Sequence, residues 1–196
     1  MISAIEERRS VRQYTDRPVP RELVQQVLQA GILAPSAGNR QPWKFLVLGE
    51  KAKTELLAAM QRGLQQELDD PMLGDSAQTV QNARHTLSIM QAAPVLVLIH
   101  YPAGRPLTEP LDAAGRVREI CDMQSIGAAI ENMALQATAL GLGSLWIGHT
   151  FWAHRALQAW LGRPGELCAV LALGWPAKNS PPRPRKDFDD VVEWLD

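Results

Sequence analysis

The sequence predicts an α+β domain built around a mixed sheet, and three observations carry that prediction. Four short apolar runs, Trp43 to Leu48, VLVLIHY from 95 to 101, SLWIG from 144 to 148 and ELCAVLALG from 166 to 174, have the length of buried strands. The segments between them space their apolar residues by three and four, as helices do, but strands and helices do not alternate in a regular βαβ rhythm. With 46% hydrophobic residues in 196, and no repeat, low-complexity tract or composition break, residues 1–196 read as one domain with one core.

Each element follows in order. Ser3 with Glu6 forms a capping-box pattern, so a short helix begins near Ser3 and frays at the charged run Glu6 to Arg9. Ser10 to Tyr14 leaves as extended chain. Pro18 and Pro20 introduce a second helix with Leu23, Val24, Val27 and Leu28 on one face and Gly31 near its end. Pro35 and Pro42 then bracket Ser36 to Gln41, six residues with no large hydrophobe, which reads as an ordered polar loop. Trp43 to Leu48 is a buried strand. Helical spacing returns over 51–68 and 76–92, separated by Pro71 and Gly74, before the second strand. Pro102, Gly104, Pro106 and Pro110 mark an irregular stretch suited to a lid, and Val117 to Leu140 is the longest helix, rich in small residues that allow close approach of another backbone. The third strand, the helix FWAHRALQAWL, the fourth strand and a proline-rich basic tail complete the chain.

Composition excludes several classes. Twenty Lys and Arg against 21 Asp and Glu give a net charge of -1, with no bulk electrostatic case for nucleic acid or an acidic membrane. No apolar stretch approaches the roughly 20 residues of a membrane span, and MISAIEERRS has no apolar signal core, so the expected location is cytoplasmic. Cys121 and Cys168 lack the spacing of a redox pair and are expected as reduced core residues. His85, His100, His149 and His154 are too scattered for a metal site, and no Ser-His-Asp constellation is present, so neither a metal nor a side-chain nucleophile or base is expected.

Two short segments concentrate arginine without intervening acids: RRSVR at 8–12 and RPRK at 183–186. In extended chain alternate residues share a face, which aligns Arg8, Ser10 and Arg12, and likewise Arg183 and Arg185 within PPRPR. Arginine's planar fork donates two parallel hydrogen bonds to a phosphate, and a serine hydroxyl adds a third donor. Either segment alone reads more readily as solvated surface.

Taken in order and spacing, ERRSVRQY, PSAGNRQPW, GLGSLWIG and PPRPRK resemble the signature segments of the nitroreductase family of flavin enzymes, over nearly the whole chain. PSAGNRQPW is the most specific of the four. The resemblance implies a nitroreductase-like fold: a central mixed, largely antiparallel sheet flanked by helices, in an intertwined homodimer with a C-terminal extension and shared active sites that bind FMN. Carried onto this chain, Arg8, Ser10 and Arg12, supported by Arg9, match the phosphate and flavin contacts of the first motif, and Arg183 and Arg185 match a C-terminal phosphate clamp. Pro35, Ser36, Ala37 and Asn39 match the loop that lies along the partner's flavin ring, with Gln41 as a brace and Trp43 as a core anchor. Ile147 and Gly148 match positions whose backbone N–H groups approach flavin N5; the family often carries an acid where Ile147 stands. For the cation expected near flavin N1 and O2, Arg84 or the neighbouring His85 are the candidates, against an exposed polar helix face. His149, Phe151 and Trp152 either border the substrate pocket or serve as core and rim. The implied activity is ping-pong hydride transfer from NADH or NADPH to a nitroaromatic, quinone or similar acceptor. The rivals are a flavin-storing or regulatory dimer with little turnover and a dehydrogenase, oxidase or deiodinase-like reaction on the same fold.

Overall fold

The computed structural model describes residues 1–74, 77–178 and 180–195. Six α-helices and four strands are named among them: α1 (Ser3–Glu7), α2 (Arg21–Ile32), β1 (Lys44–Val47), α3 (Glu50–Asp69), α4 (Ala77–Ala92), β2 (Val95–Tyr101), α5 (Ala113–Ala139), β3 (Gly143–Ile147), α6 (His154–Leu161) and β4 (Glu166–Gly174). Short 3-10 turns occupy Ala37–Asn39, His149–Ala153 and Phe188–Asp190.

The sheet runs β1-β2-β4-β3 and every named pair is antiparallel. Its parallel component is a single bridge between Ser10 and Ser144, just outside the sheet edge. Alternation along the central strands sorts side chains to two faces. Leu96, Leu98, Val170 and Ala172 join α3, α4 and α6 in one core, whereas Val97, Ile99, Leu171 and Leu173 join α2 and α5 in the other. Each fully buried Leu or Ile contributes about 1.5–3 kcal/mol over an exposed one, so the twice-covered β2 and β4 form the rigid floor of the molecule.

Several expectations are refined. Ser3 is the first helical residue of α1, not its cap; Ile2 stands at the cap position and no side chain closes the end. The run from Trp43 to Leu48 was expected to be buried, yet β1 lies at the sheet edge and leaves Val47 47% exposed. The longest helix begins four residues before Val117, because Asp112 caps it by accepting from the Gly115 N–H at 2.7 Å. FWAHRALQAWL opens as a 3-10 turn and becomes α-helical at His154. The helix expected over 76–92 starts at Ala77, with position 76 outside the described residues. Cys121 and Cys168 are free thiols, each only partly buried. No helix among the described residues is long and apolar enough to cross a membrane.

One packing feature positions everything that follows. Residues 10–15 lie as an extended ribbon between β3 and the chain leaving β4: the Val11 N–H donates to Ser144 O, the Thr15 N–H to Trp175 O, and the Ala177 N–H to Gln13 O, each at 2.9 Å. Two glycines permit this approach. A Cβ on Gly143 would stand 2.7 Å from Val11 Cγ2, and one on Gly174 would stand 2.8 Å from Tyr14 Cδ1. The ribbon and the tail therefore leave the sheet side by side.

Candidate active site

Because the tail departs beside the ribbon, the two arginine clusters meet. Arg8, Arg9, Ser10 and Arg12 share a cavity of about 670 Å³ with Ser180 and the stretch from Pro181 to Arg185. Among the described residues five arginines and no carboxylate line it, a concentration of like charge that an anion relieves. The five are not equivalent. Arg8 Nε pairs with Glu131 of α5 at 3.0 Å, and the Arg9 guanidinium folds back on the carbonyls of Glu6 and Arg8. Arg12 and Arg185 bond only to main-chain carbonyls within two residues of themselves, and Arg183 has no side-chain partner among the described residues. Their donor forks remain available to a ligand.

A second chamber of about 1060 Å³ adjoins the first and shares Arg12 and Arg183 with it. One wall is the end of β3, from Leu145 to Gly148; α4 supplies Asn82, His85, Thr86 and Ile89; His149, Phe151 and Trp152 close the remaining side. The Ile147 side chain points into the core, 2% exposed, so its position meets the chamber through backbone. A Cβ on Gly148 would find nothing within 4 Å, which places bare backbone against open space. Ile147 and Gly148 both line this chamber. Together the chambers have one strongly cationic end and one end of mixed polarity, a combination suited to a phosphorylated, ring-bearing cofactor.

The candidate cations on α4 separate cleanly. Arg84 turns toward α3 and donates to Gln65 Oε1 at 2.9 Å, while His85 lines the chamber. His149 is held by Thr86, whose Oγ1 lies 2.7 Å from Nδ1, and its ring meets Trp152 edge-on at 6.1 Å. Burial lowers its pKa below the ordinary histidine value, which favours the neutral imidazole at neutral pH.

The loop from Pro35 to Gln41 does not reach either chamber within one chain. It is fastened instead to α5 and β2. The Ala37 N–H donates to Ser125 Oγ at 3.2 Å, and Arg40 donates through Nε and Nη2 to Asp122 Oδ1 at 2.9 and 2.8 Å. Asp122 is 2% exposed, and its Oδ2 accepts from the Tyr101 hydroxyl at 2.6 Å. Burial, and then that hydrogen bond, push the Tyr101 hydroxyl up to about 12 and keep it a donor. Inside the loop Gly38, Asn39 and Gln41 all have positive φ, at 58°, 53° and 47°. Gln41 braces it as expected, its N–H donating to Ser36 Oγ at 3.0 Å and its side chain to Asn39 Oδ1 at 3.3 Å. Trp43 stacks on Phe45 at 6.2 Å beside the core. The irregular stretch after β2, expected to act as a lid, covers neither chamber; it lines a separate cavity of about 590 Å³ beside Arg40 and Asp122. Asp122, Tyr101, Ser125 and Thr86 were not anticipated, and no spacing in the sequence marks them.

The chain has relatives among known proteins. The sequence profile of the nitroreductase family matches residues 5–175. The chain belongs to the nitroreductase family. A protein of Archaeoglobus fulgidus, provisionally named an NADH dehydrogenase/NAD(P)H nitroreductase, is 31% identical over 191 residues, which cover 95% of this chain and 88% of the relative. Among solved structures, a provisionally named nitroreductase from Desulfovibrio desulfuricans, determined in complex with FMN, is 30% identical with a TM-score of 0.73, covering 98% of this chain and 95% of its own. A BluB-like flavoprotein from Clostridium difficile is 27% identical with a TM-score of 0.80, covering 99% and 98%. Within this nitroreductase fold the described residues contain no group of three or more His, Cys, Asp and Glu that could hold a metal.

The fastening of the loop generates a prediction. Asp122→Asn keeps the side-chain shape but removes the charge that Arg40 and Tyr101 share, so urea unfolding should show a loss of about 1–3 kcal/mol. An unchanged midpoint would mean that other contacts hold the loop.

Proposed function

We propose that this protein is an FMN-dependent oxidoreductase that works as a homodimer, passing hydride from NADH or NADPH to an electron-poor acceptor such as a nitroaromatic or quinone in a ping-pong cycle. The observation that carries this reading is the continuity of an arginine-lined chamber with a second one walled by the bare backbone of Ile147 and Gly148. The residues fit FMN: its dianionic phosphate would be held by the free forks of Arg12, Arg183 and Arg185 and the Ser10 hydroxyl, with Arg8 and Arg9 adding positive charge to the same cavity. When bound, FMN supplies the hydride chemistry, accepting from the nicotinamide and giving to the acceptor. Backbone donors at 147–148 and the His85 side chain would orient the ring, and no side-chain nucleophile or base is needed.

The dimer is supported by what the single chain leaves uncovered. Leu33, after α2, and Val117 and Ile120, on α5, are 72%, 61% and 50% exposed, and Ile2 and Ile5 are exposed at α1. An apolar surface of this kind fits a second copy of the chain. In that assembly Pro35, Ser36, Ala37 and Asn39 complete the partner's site, which accounts for a small, polar, tightly fastened loop that lies apart from the chambers of its own chain.

Two measurements test the proposal. Replacing Arg183 and Arg185 together by Ala removes charge-assisted bonds of about 1.5–3 kcal/mol each, so an FMN titration should weaken by a few kcal/mol; an unchanged titration rejects the clamp. Stopped-flow mixing with NADH and with NADPH should bleach the flavin absorbance on a catalytic timescale and, with a nitroaromatic, restore it. A flavin-storing dimer would stay yellow. The likeness to a BluB-like flavoprotein supports one second reading, a different flavin reaction on this fold, which predicts bleaching without nitroaromatic turnover.

A further inference from the structure

His149 is a polar side chain in the second chamber that the reading above leaves without a task. Its ring is pinned on two sides, by Thr86 at Nδ1 and by the edge of Trp152. The remaining nitrogen, Nε2, has no protein partner among the described residues, although the residue lines the chamber. The tautomer turns on Thr86, whose hydroxyl lies 2.7 Å from His149 Nδ1 and 3.2 Å from Asn82 O, to which it can also donate. With the hydroxyl hydrogen on the shorter contact, to Nδ1, the ring's own hydrogen is on Nε2, and this is the tautomer the inference requires.

We infer that His149 is a specificity-determining residue whose Nε2–H donates a hydrogen bond to an oxygen of the oxidising substrate, selecting flat acceptors that carry a carbonyl or nitro oxygen over acceptors that carry none. The inference rests on the FMN reading and names the substrate class that the same site takes. Its placement follows from chain order: His149 comes directly after Gly148, so the donor stands at the border of the backbone that faces the chamber. Burial keeps the imidazole neutral, so it recognises a neutral oxygen without bringing a second full charge beside Arg12 and Arg183. In the net reaction NAD(P)H, one proton from water and a quinone give NAD(P)⁺ and hydroquinone, and the imidazole keeps its own proton throughout.

The test uses the FMN-loaded dimer and two readings. The first is the Kd of 1,4-naphthoquinone for the oxidised protein, titrated without reductant so that nothing turns over. The second is the ratio of second-order reoxidation rate constants for the quinone and for ferricyanide, an outer-sphere oxidant that needs no hydrogen bond. His149→Phe should raise the Kd about fivefold, the loss of one ordinary hydrogen bond, and lower the ratio by a similar factor. His149→Gln, which carries an amide N–H close to the lost Nε2, should restore both to within about threefold. Thr86→Val, nearly the same in volume, frees the ring and should move both readings in the same direction as His149→Phe. A ratio and Kd that stay put in His149→Phe overturn the inference, as does a Gln variant no better than Phe; a merely structural role would lower both rate constants together and leave the ratio where it was. Should the Phe variant not fold, unmoved readings in Thr86→Val overturn it instead. Wild-type protein that takes up no FMN, or whose flavin neither nicotinamide reduces, refutes the parent reading and this one with it, an outcome visible before any variant is made.

Discussion

The structure depends on a ribbon of extended chain wedged against a sheet edge. Residues 10–15 bond to β3 on one side and to the segment after β4 on the other, and Gly143 and Gly174 leave the room for it. Three main-chain hydrogen bonds at 2.9 Å give this junction a geometry that side chains alone could not impose. Its consequence is electrostatic. Arginines separated by some 170 positions in the chain stand around one cavity, and their mutual repulsion makes an anion part of the most stable arrangement. The β3 end belongs to the same junction, since Ser144 bonds the ribbon and Ile147 and Gly148 wall the next chamber. A single packing event thus aligns the charged and the uncharged halves of the site.

A second constraint acts on the far side of the molecule. The loop from Ser36 to Gln41 takes three positive φ angles in four residues, two of them at non-glycine positions, which costs energy that local preferences do not return. The buried Asp122 offsets it, binding Arg40 from within the loop and Tyr101 from β2 at once. Loop, long helix and central strand are thereby joined into one body. A shape held so firmly, yet directed away from the chambers of its own chain, is what a segment that serves a second copy requires.

Much of this was legible in the sequence, and the reasons differ by element. Short apolar runs located all four strands and helical spacing most of the helices, because burial in a sheet or along a helix stripe leaves a direct mark. The alternation of Arg8, Ser10 and Arg12, and the prolines around Arg183 and Arg185, marked the cationic segments. Their convergence left no such mark; it followed from the order of the motifs and is explained only by the ribbon. Exposure of β1 escaped because an edge strand and a central strand can share one apolar run. The early start of α5 was hidden by an irregular stretch in which Asp112 looked like one more loop residue. Which of Arg84 and His85 lines the chamber depends on the rotation of α4, fixed by packing against α3 and absent from any local signal. Asp122 and Tyr101 were unreadable for a simpler reason: partnerships across 82 positions, Arg40 to Asp122, and 21 positions, Tyr101 to Asp122, have no spacing rule.

The central claim is that the two ends of the chain recognise a phosphate, and comparing FMN with riboflavin tests it most directly. Riboflavin keeps the ring and the ribityl chain and lacks only the anion. If two or more charge-assisted hydrogen bonds of about 1.5–3 kcal/mol hold the phosphate, FMN should bind about a hundredfold tighter or more, with the advantage shrinking as salt is added. Equal dissociation constants for the two would contradict the account.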